Sequence, residues 1–144
     1  MNRSLAEPAF PRDDGMVDPQ LRAALGDDAA VLGALGDVRV FVPIVAVVGE
    51  QATDGSDKSA DMAAVFMTGA DGRKALLVFS SVASLAAWNA TARPVAVWGR
   101  DAALAAVAED ASAMLLDLGS DHFTVIETDG VRRLAAMSTA GEAG

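Results

Sequence analysis

The only imidazole in the chain is His122, and it directly follows Ser120 and Asp121. A hydroxyl, a carboxylate and an imidazole are the parts of a nucleophile-base-acid relay. Consecutive residues rarely reach that geometry, however, and no G-x-S-x-G elbow presents the serine. The three residues read more simply as a turn between two strands. A hydrolase on this chain would have to draw on Asp61, Asp117 or His122. With no cysteine, the chain has no thiol nucleophile, disulfide, Cys-ligated zinc site or iron-sulfur cluster. The acidic pairs Asp13 with Asp14, Asp27 with Asp28, Asp54 with Asp57, and Glu109 with Asp110 fall in loops or at helix ends, where carboxylates cap amides or solvate the surface. Asp54-Gly55-Ser56-Asp57 lacks the twelve-residue register and closing Glu of a calcium loop. Neither G-x-G-x-x-G after a strand nor G-x-x-x-x-G-K is present, so no cofactor and no metal are expected.

Binding chemistry is left. Lysine occurs only as Lys58 and Lys74, and Lys58 lies in an acidic loop beside Ser59 and Asp61. Ser80 and Ser81 stand where a strand gives way to a helix, and amides there could hold an anion together with Lys58 or Arg93. Tryptophan is enriched in interface hot spots, which makes Trp88 and Trp98 candidates. Trp88, at helical spacing from Leu85, and Trp98, closing an apolar strand, read more readily as core. The candidate binding set is therefore Lys58, Asp61, Ser80, Ser81, Trp88 and Arg93.

Composition bounds the partners. The 144 residues are 52% hydrophobic and 22% charged, with a formal charge of -9. A chain of this length forms one domain burying roughly 68–70% of its unfolded surface, which excludes disorder as a whole. The negative charge opposes the counterion release that drives nucleic-acid binding, and the densest basic cluster is only Arg132-Arg133. The apolar run from Val40 to Gly49 is interrupted by Pro43 and is about half the length of a membrane span. Residues 1–15 lack the apolar core of an export signal, so a cytoplasmic location is expected, with no membrane and no nucleic acid.

Residues that position these groups can be placed by local signals. Residues 1–17 read as an extended arm whose anchors are Leu5 and Phe10. Asp18-Pro19 starts a helix carrying Leu21 and Leu25, and Gly26 ends it. A second helix from Asp28 shows Val31, Leu32 and Leu35, with Gly36 suited to a left-handed C-terminal position. Val38 to Val48, Met62 to Met67, and Ala75 to Phe79 read as strands with both faces covered. Pro43 places the first of them at an edge or a bulge. Asp71-Gly72 turns the next two into a hairpin. Ser80 or Ser81 caps a helix through Trp88, and Arg93-Pro94 opens the strand Val95 to Trp98, giving a strand-helix-strand crossover. Asp101 caps an alanine-rich helix. Ala113 to Leu118 and Phe123 to Thr128 are strands around Gly119-Ser120-Asp121, and Val131 to Met137 forms a helix in preference to a hairpin. Residues 18–137 then make one compact α/β (α+β) domain, a mixed and mostly antiparallel sheet of five to six strands with helices packed on it. Residues 138–144 form a frayed tail.

Several of these segments together resemble one family. Asp57-Lys58-Ser59-Ala60-Asp61-Met62 leading into a strand, Phe79-Ser80-Ser81 through Trp88, Ala92-Arg93-Pro94-Val95, and Leu115-Leu116-Asp117 ahead of Phe123 are similar to the SseB amino-terminal domain in its short high-GC Gram-positive form. The resemblance spans roughly residues 5 to 137. It implies a compact α/β domain of undefined function and transfers no catalytic residue. Ser80 stands where the family often has Thr, and Leu118 where it often has Pro. The expectation is a non-catalytic cytoplasmic module that works through a protein partner or a homo-oligomer. The alternative is a small-molecule or anion pocket near the Ser80-Ser81 helix start.

Overall fold

A computed structural model describes Phe10, residues 13–47 and residues 61–143; of residues 47, 61, 62 and 139–143 it describes the backbone alone. Lys58, Leu5 and the acidic loop therefore lie outside the described residues, as does the side chain of Asp61. Two short helices open the domain. Asp18 accepts from the Gln20 amide to cap α1 (Pro19–Ala24), and Asp27 accepts from the Ala29 and Ala30 amides to cap α2 (Asp28–Leu35). Gly26 takes the left-handed φ of +96° between them. Gly36 does not, contrary to expectation: it ends α2 at φ -65° and the next residues enter β1 (Arg39–Val47) almost directly.

Among the described residues seven strands form two sheets rather than one, because a single segment divides its pairing. The segment expected as one strand breaks at Val65 into β2 (Asp61–Ala64) and β3 (Phe66–Thr68). The first sheet has the order β2-β1-β5, with β5 at Arg93–Trp98. The second has the order β3-β4-β6-β7, with β4 at Lys74–Val78, β6 at Ala113–Leu116 and β7 at Thr124–Ile126. Val65 bridges them, donating to the Pro43 carbonyl and accepting from the Leu77 amide. Phe41 and Phe79 exchange both backbone hydrogen bonds, at 2.7 and 2.8 Å.

Pro43 is at neither an edge nor a bulge. β1 is the central strand of its sheet, and Pro43 falls where its neighbour on one side changes from Phe79 to β2, whose ladder begins at Ile44↔Ala64. The amide that proline lacks is thus missing at the seam between two partners. The hairpin between β3 and β4 forms as expected, with Gly72 alone supplying the positive φ, at +84°. α3 (Val82–Trp88) does not lead to a neighbouring parallel strand. β5 crosses to the other sheet and pairs antiparallel with β1, and the parallel pair is β4 with β6.

Alternation along the strands divides the core. Val40, Val42, Leu76, Val78, Met114 and Leu116 face α1, α2, α4 (Gly99–Ala108) and α5 (Thr128–Ala143). Phe41, Leu77 and Phe79 face α3 through Leu85, with Trp88 packed at the margin. Alanine lets α4 lie close: Ala102, Ala103 and Ala106 are buried. Asp101 sits inside the first turn of α4, not at its cap, and accepts a hydrogen bond from Ser138 of α5. α5 continues to Ala143, past the point where fraying is expected, and the Asp101–Ser138 hydrogen bond falls just beyond Met137.

One close approach is decisive for this arrangement. A Cβ on Gly99 would lie 1.9 Å from the Leu35 carbonyl oxygen, so α4 can begin against the end of α2 only with glycine there. The Gly99→Ala variant should lose about 3 kcal/mol, since backbone must move to relieve the overlap. Gly33→Ala, exposed in α2 with nothing within 4 Å, should instead gain about 0.5–1 kcal/mol. Urea denaturation of both variants checks the pair of signs.

Candidate functional site

The first polar cluster forms around Asp117, which is only 2% exposed. It ends the parallel pairing of β4 with β6, donating its amide to the Val78 carbonyl at 2.9 Å. Its φ of +59° is left-handed, a conformation that costs an L residue roughly 1–2 kcal/mol. That turn aims the side chain back across the strand ends. Oδ1 accepts from the Ser80 amide at 2.7 Å and from Ser84 Oγ at 3.2 Å, and Oδ2 accepts from Ser80 Oγ at 2.6 Å. Three donors on one buried carboxylate offset both its desolvation and the backbone strain.

Ser81 caps α3 as expected. Its Oγ accepts from the Ser84 amide, and Ser84 Oγ accepts from the Ser81 amide, a reciprocal capping box. The Val82 amide donates to the Gly15 carbonyl. The amides that could have received an anion at the start of α3 are therefore largely used within the protein.

A second buried group, Arg39 of β1, is missed by residue-type reasoning. Nη1 donates to the Ser80 carbonyl at 3.0 Å, and Nη2 donates to Asp13 Oδ1 at 2.8 Å and to the Met16 carbonyl. Nε lies 2.6 Å from Asp13 Oδ2, but off the line of a hydrogen bond, so that contact is one of charge alone. The guanidinium also covers the Phe41 ring, 4.3 Å from its centroid. Burial raises the Asp13 carboxyl, but the Arg39 hydrogen bond, the Gly15 amide and the Arg39 charge outweigh it and hold the group below its ordinary value. The charge of Arg39 thereby ties residues 13–16 to the sheet. The arginine itself is the signal sequence reasoning could have used, since it opens an otherwise apolar strand.

Above this joint lies an open hollow of about 540 Å³ that includes Arg22, Ser81, Ser84, Asp117, Ser120 and His122. His122 stands in a turn and is exposed, and its amide donates to Ser120 Oγ. Serine, aspartate and histidine do meet here, but the Ser80 hydroxyl is committed to Asp117 and the imidazole makes none of these bonds. The other candidates lie apart. Arg93 is exposed at the start of β5, opposite Ile44, and Trp88 packs on Phe79 at 5.6 Å between centroids. Trp98, expected in the core, is 37% exposed, with Phe10 edge-on at 4.9 Å. Among the described residues, no group of three or more His, Cys, Asp or Glu could hold a metal ion, and no helix is long and apolar enough to cross a membrane.

Fold and site together define an α/β domain whose two sheets are joined through buried polar contacts. The model of the SseB protein N-terminal domain matches residues 18–133, and the chain belongs to that family. Searches of curated proteins and of solved structures find no match.

Two outcomes follow for the joint. Asp117→Ala leaves the buried Ser80 amide and hydroxyl without their acceptor and should cost about 3 kcal/mol, a drop in Tm of roughly 10 °C. Because the Asp13 carboxyl is depressed in the folded state, its contribution is complete above about pH 5 and is lost as pH falls through the folded value. Asp13→Asn should flatten that acid limb when denaturation midpoints are measured from pH 7 down to 3.

Proposed function

We propose that this SseB-family chain is a cytoplasmic protein-interaction module, and that its working surface is the apolar groove between the first sheet and α4. The reading rests on one observation. A groove of about 540 Å³, lined by Val42, Ile44, Phe66, Val97 and Ala105, lies open beside α4 with Asp101 and Glu109 among its residues. Apolar surface left open on a folded chain of this size marks a contact site. Carboxylates at such a groove, on a chain of charge -9, suit a partner segment that inserts apolar side chains and carries lysine or arginine beside them.

The polar joint supports the same reading from the other side. Asp117, Ser80, Ser81 and Ser84 bond to one another, and a residue that holds sheets together is poorly placed to change partners in a reaction cycle. Surface chemistry is then left to shape and charge.

Ala105 is exposed on α4 and tolerates a larger side chain without disturbing the core. Ala105→Trp should fill the groove and lower crosslinked recovery of a discrete partner from the protein's own cells at least tenfold. Ser120→Ala should leave recovery unchanged. Equal recovery with Ala105→Trp and the native chain would contradict the assignment of the groove.

A further inference from the structure

The strand β5 ends the first sheet, and among the described residues no strand pairs with its outer edge. Which of its groups face outward follows from its partner. Phe41 spends its amide and carbonyl on Phe79, so it turns away from β5, and Ala96 directly opposite must turn away from β1. By the two-residue period, Pro94 and Trp98 face outward as well. The edge then carries two donors, the amides of Ala96 and Trp98, since Pro94 has none. It also carries two free acceptors, the carbonyls of Pro94 and Ala96. The Trp98 carbonyl is not free, because Trp98 is the N-cap residue of α4 and its carbonyl accepts the first bond of that helix.

This set of groups complements itself. We infer that β5 pairs with β5 of a second copy of this chain, antiparallel and centred on Ala96. In that register the two Ala96 residues exchange two hydrogen bonds, and each Trp98 amide donates to the Pro94 carbonyl of the other copy. Four bonds form. The missing proline amide falls opposite the one carbonyl already in use, so no polar group is left without a partner. No register shifted by two residues matches donors to acceptors in this way.

The side chains agree with the backbone. Val95, 39% exposed, meets Val97 of the other copy, a β-branched cross-strand pair. Trp98 meets Pro94 on the opposite face. Arg93 arrives beside the first turn of α4 of the other copy, where Asp101 stands, and the two-fold axis repeats each contact. A proline and an arginine on an edge strand often serve to prevent pairing, but here each has a complementary place in the pair. The groove beside α4 is distinct from this edge, although Val95 and Val97, which line it, would bring the two grooves together at the axis.

The chain contains no cysteine, so one introduced thiol reports the register directly. Across a hydrogen-bonded pair the Cα atoms are about 5.5 Å apart, within reach of a disulfide. The native chain in sedimentation equilibrium should show twice its 14.7 kDa mass. Ala96→Cys should crosslink to a dimer under mild oxidation, while Val107→Cys, exposed on α4, should not. Ala96→Pro removes an amide that β1 does not use, and should yield a folded monomer by circular dichroism and mass. A native chain that stays monomeric at high micromolar concentration overturns the inference. So does a dimer in which Ala96→Cys fails to crosslink, whether or not Ala96→Pro folds. Altered partner recovery with Ala105→Trp, at unchanged mass, would concern the groove alone.

Discussion

Ser80 is held from three directions, and the two sheets meet where it is held. Its carbonyl accepts from Arg39 of the first sheet, and its amide and hydroxyl both donate to Asp117 at the end of β6 in the second. One residue earlier, Phe79 exchanges hydrogen bonds with Phe41. No ladder of several residues joins the sheets at this point, so a small number of buried polar contacts does what a continuous sheet does elsewhere. The bonds to Ser80 are made by the charged groups Arg39 and Asp117, and bonds to charged groups are the stronger kind. The hollow containing Ser81, Asp117, Ser120 and His122 owes its form to that joint, as does the path of residues 13–16 over Arg39.

The remaining structure follows from keeping both sheet faces covered at small expense in side-chain volume. The chain has 31 alanines, and those of α4 let it approach the sheet while α5 packs against it. Gly99 allows the same closeness at the turn into α4. Among the described residues the opposite face is covered by α3 and a smaller cluster around Phe41 and Phe79, and β5 is exposed there. Coverage is unequal, and the open groove and the open edge are where it runs out. The edge belongs to the first sheet, and the groove to that sheet together with Phe66 and Leu76 of the second; both lie apart from the polar joint, which separates the surface available for contact from the contacts that maintain the fold.

Local signals were legible and distant ones were not. Asp18-Pro19, Ser81 and Asp71-Gly72 act within three residues, and each forms the cap or turn its type demands. The α/β class, the final helix from residue 131 and the antiparallel hairpin follow from periodicity of the same short range. Asp117 meets Ser80 across 37 positions and Arg39 meets Asp13 across 26, separations at which residue type carries no register. Val65 reads as the middle of one apolar strand because a change of pairing partner alters no side-chain pattern. Pro43 signalled that a ladder bond was missing, but not that the gap was a seam between two partners. Trp98 reads as core because an apolar strand looks alike at the centre and at an edge. Ser80 and Ser81 were identified as a site from their position at a helix start, and their partners turned out to be internal.

The Ser80 joint, held by Arg39 and Asp117, is part of the fold. Native-state hydrogen exchange at the Ser80 amide tests it most directly. If the joint holds the sheets together, that amide exchanges only by global unfolding, with a free energy equal to the denaturation value and a dependence on denaturant of the same slope. Exchange by a local opening several kcal/mol below the global value, with little denaturant dependence, would show that the joint moves independently and that the sheets do not depend on it.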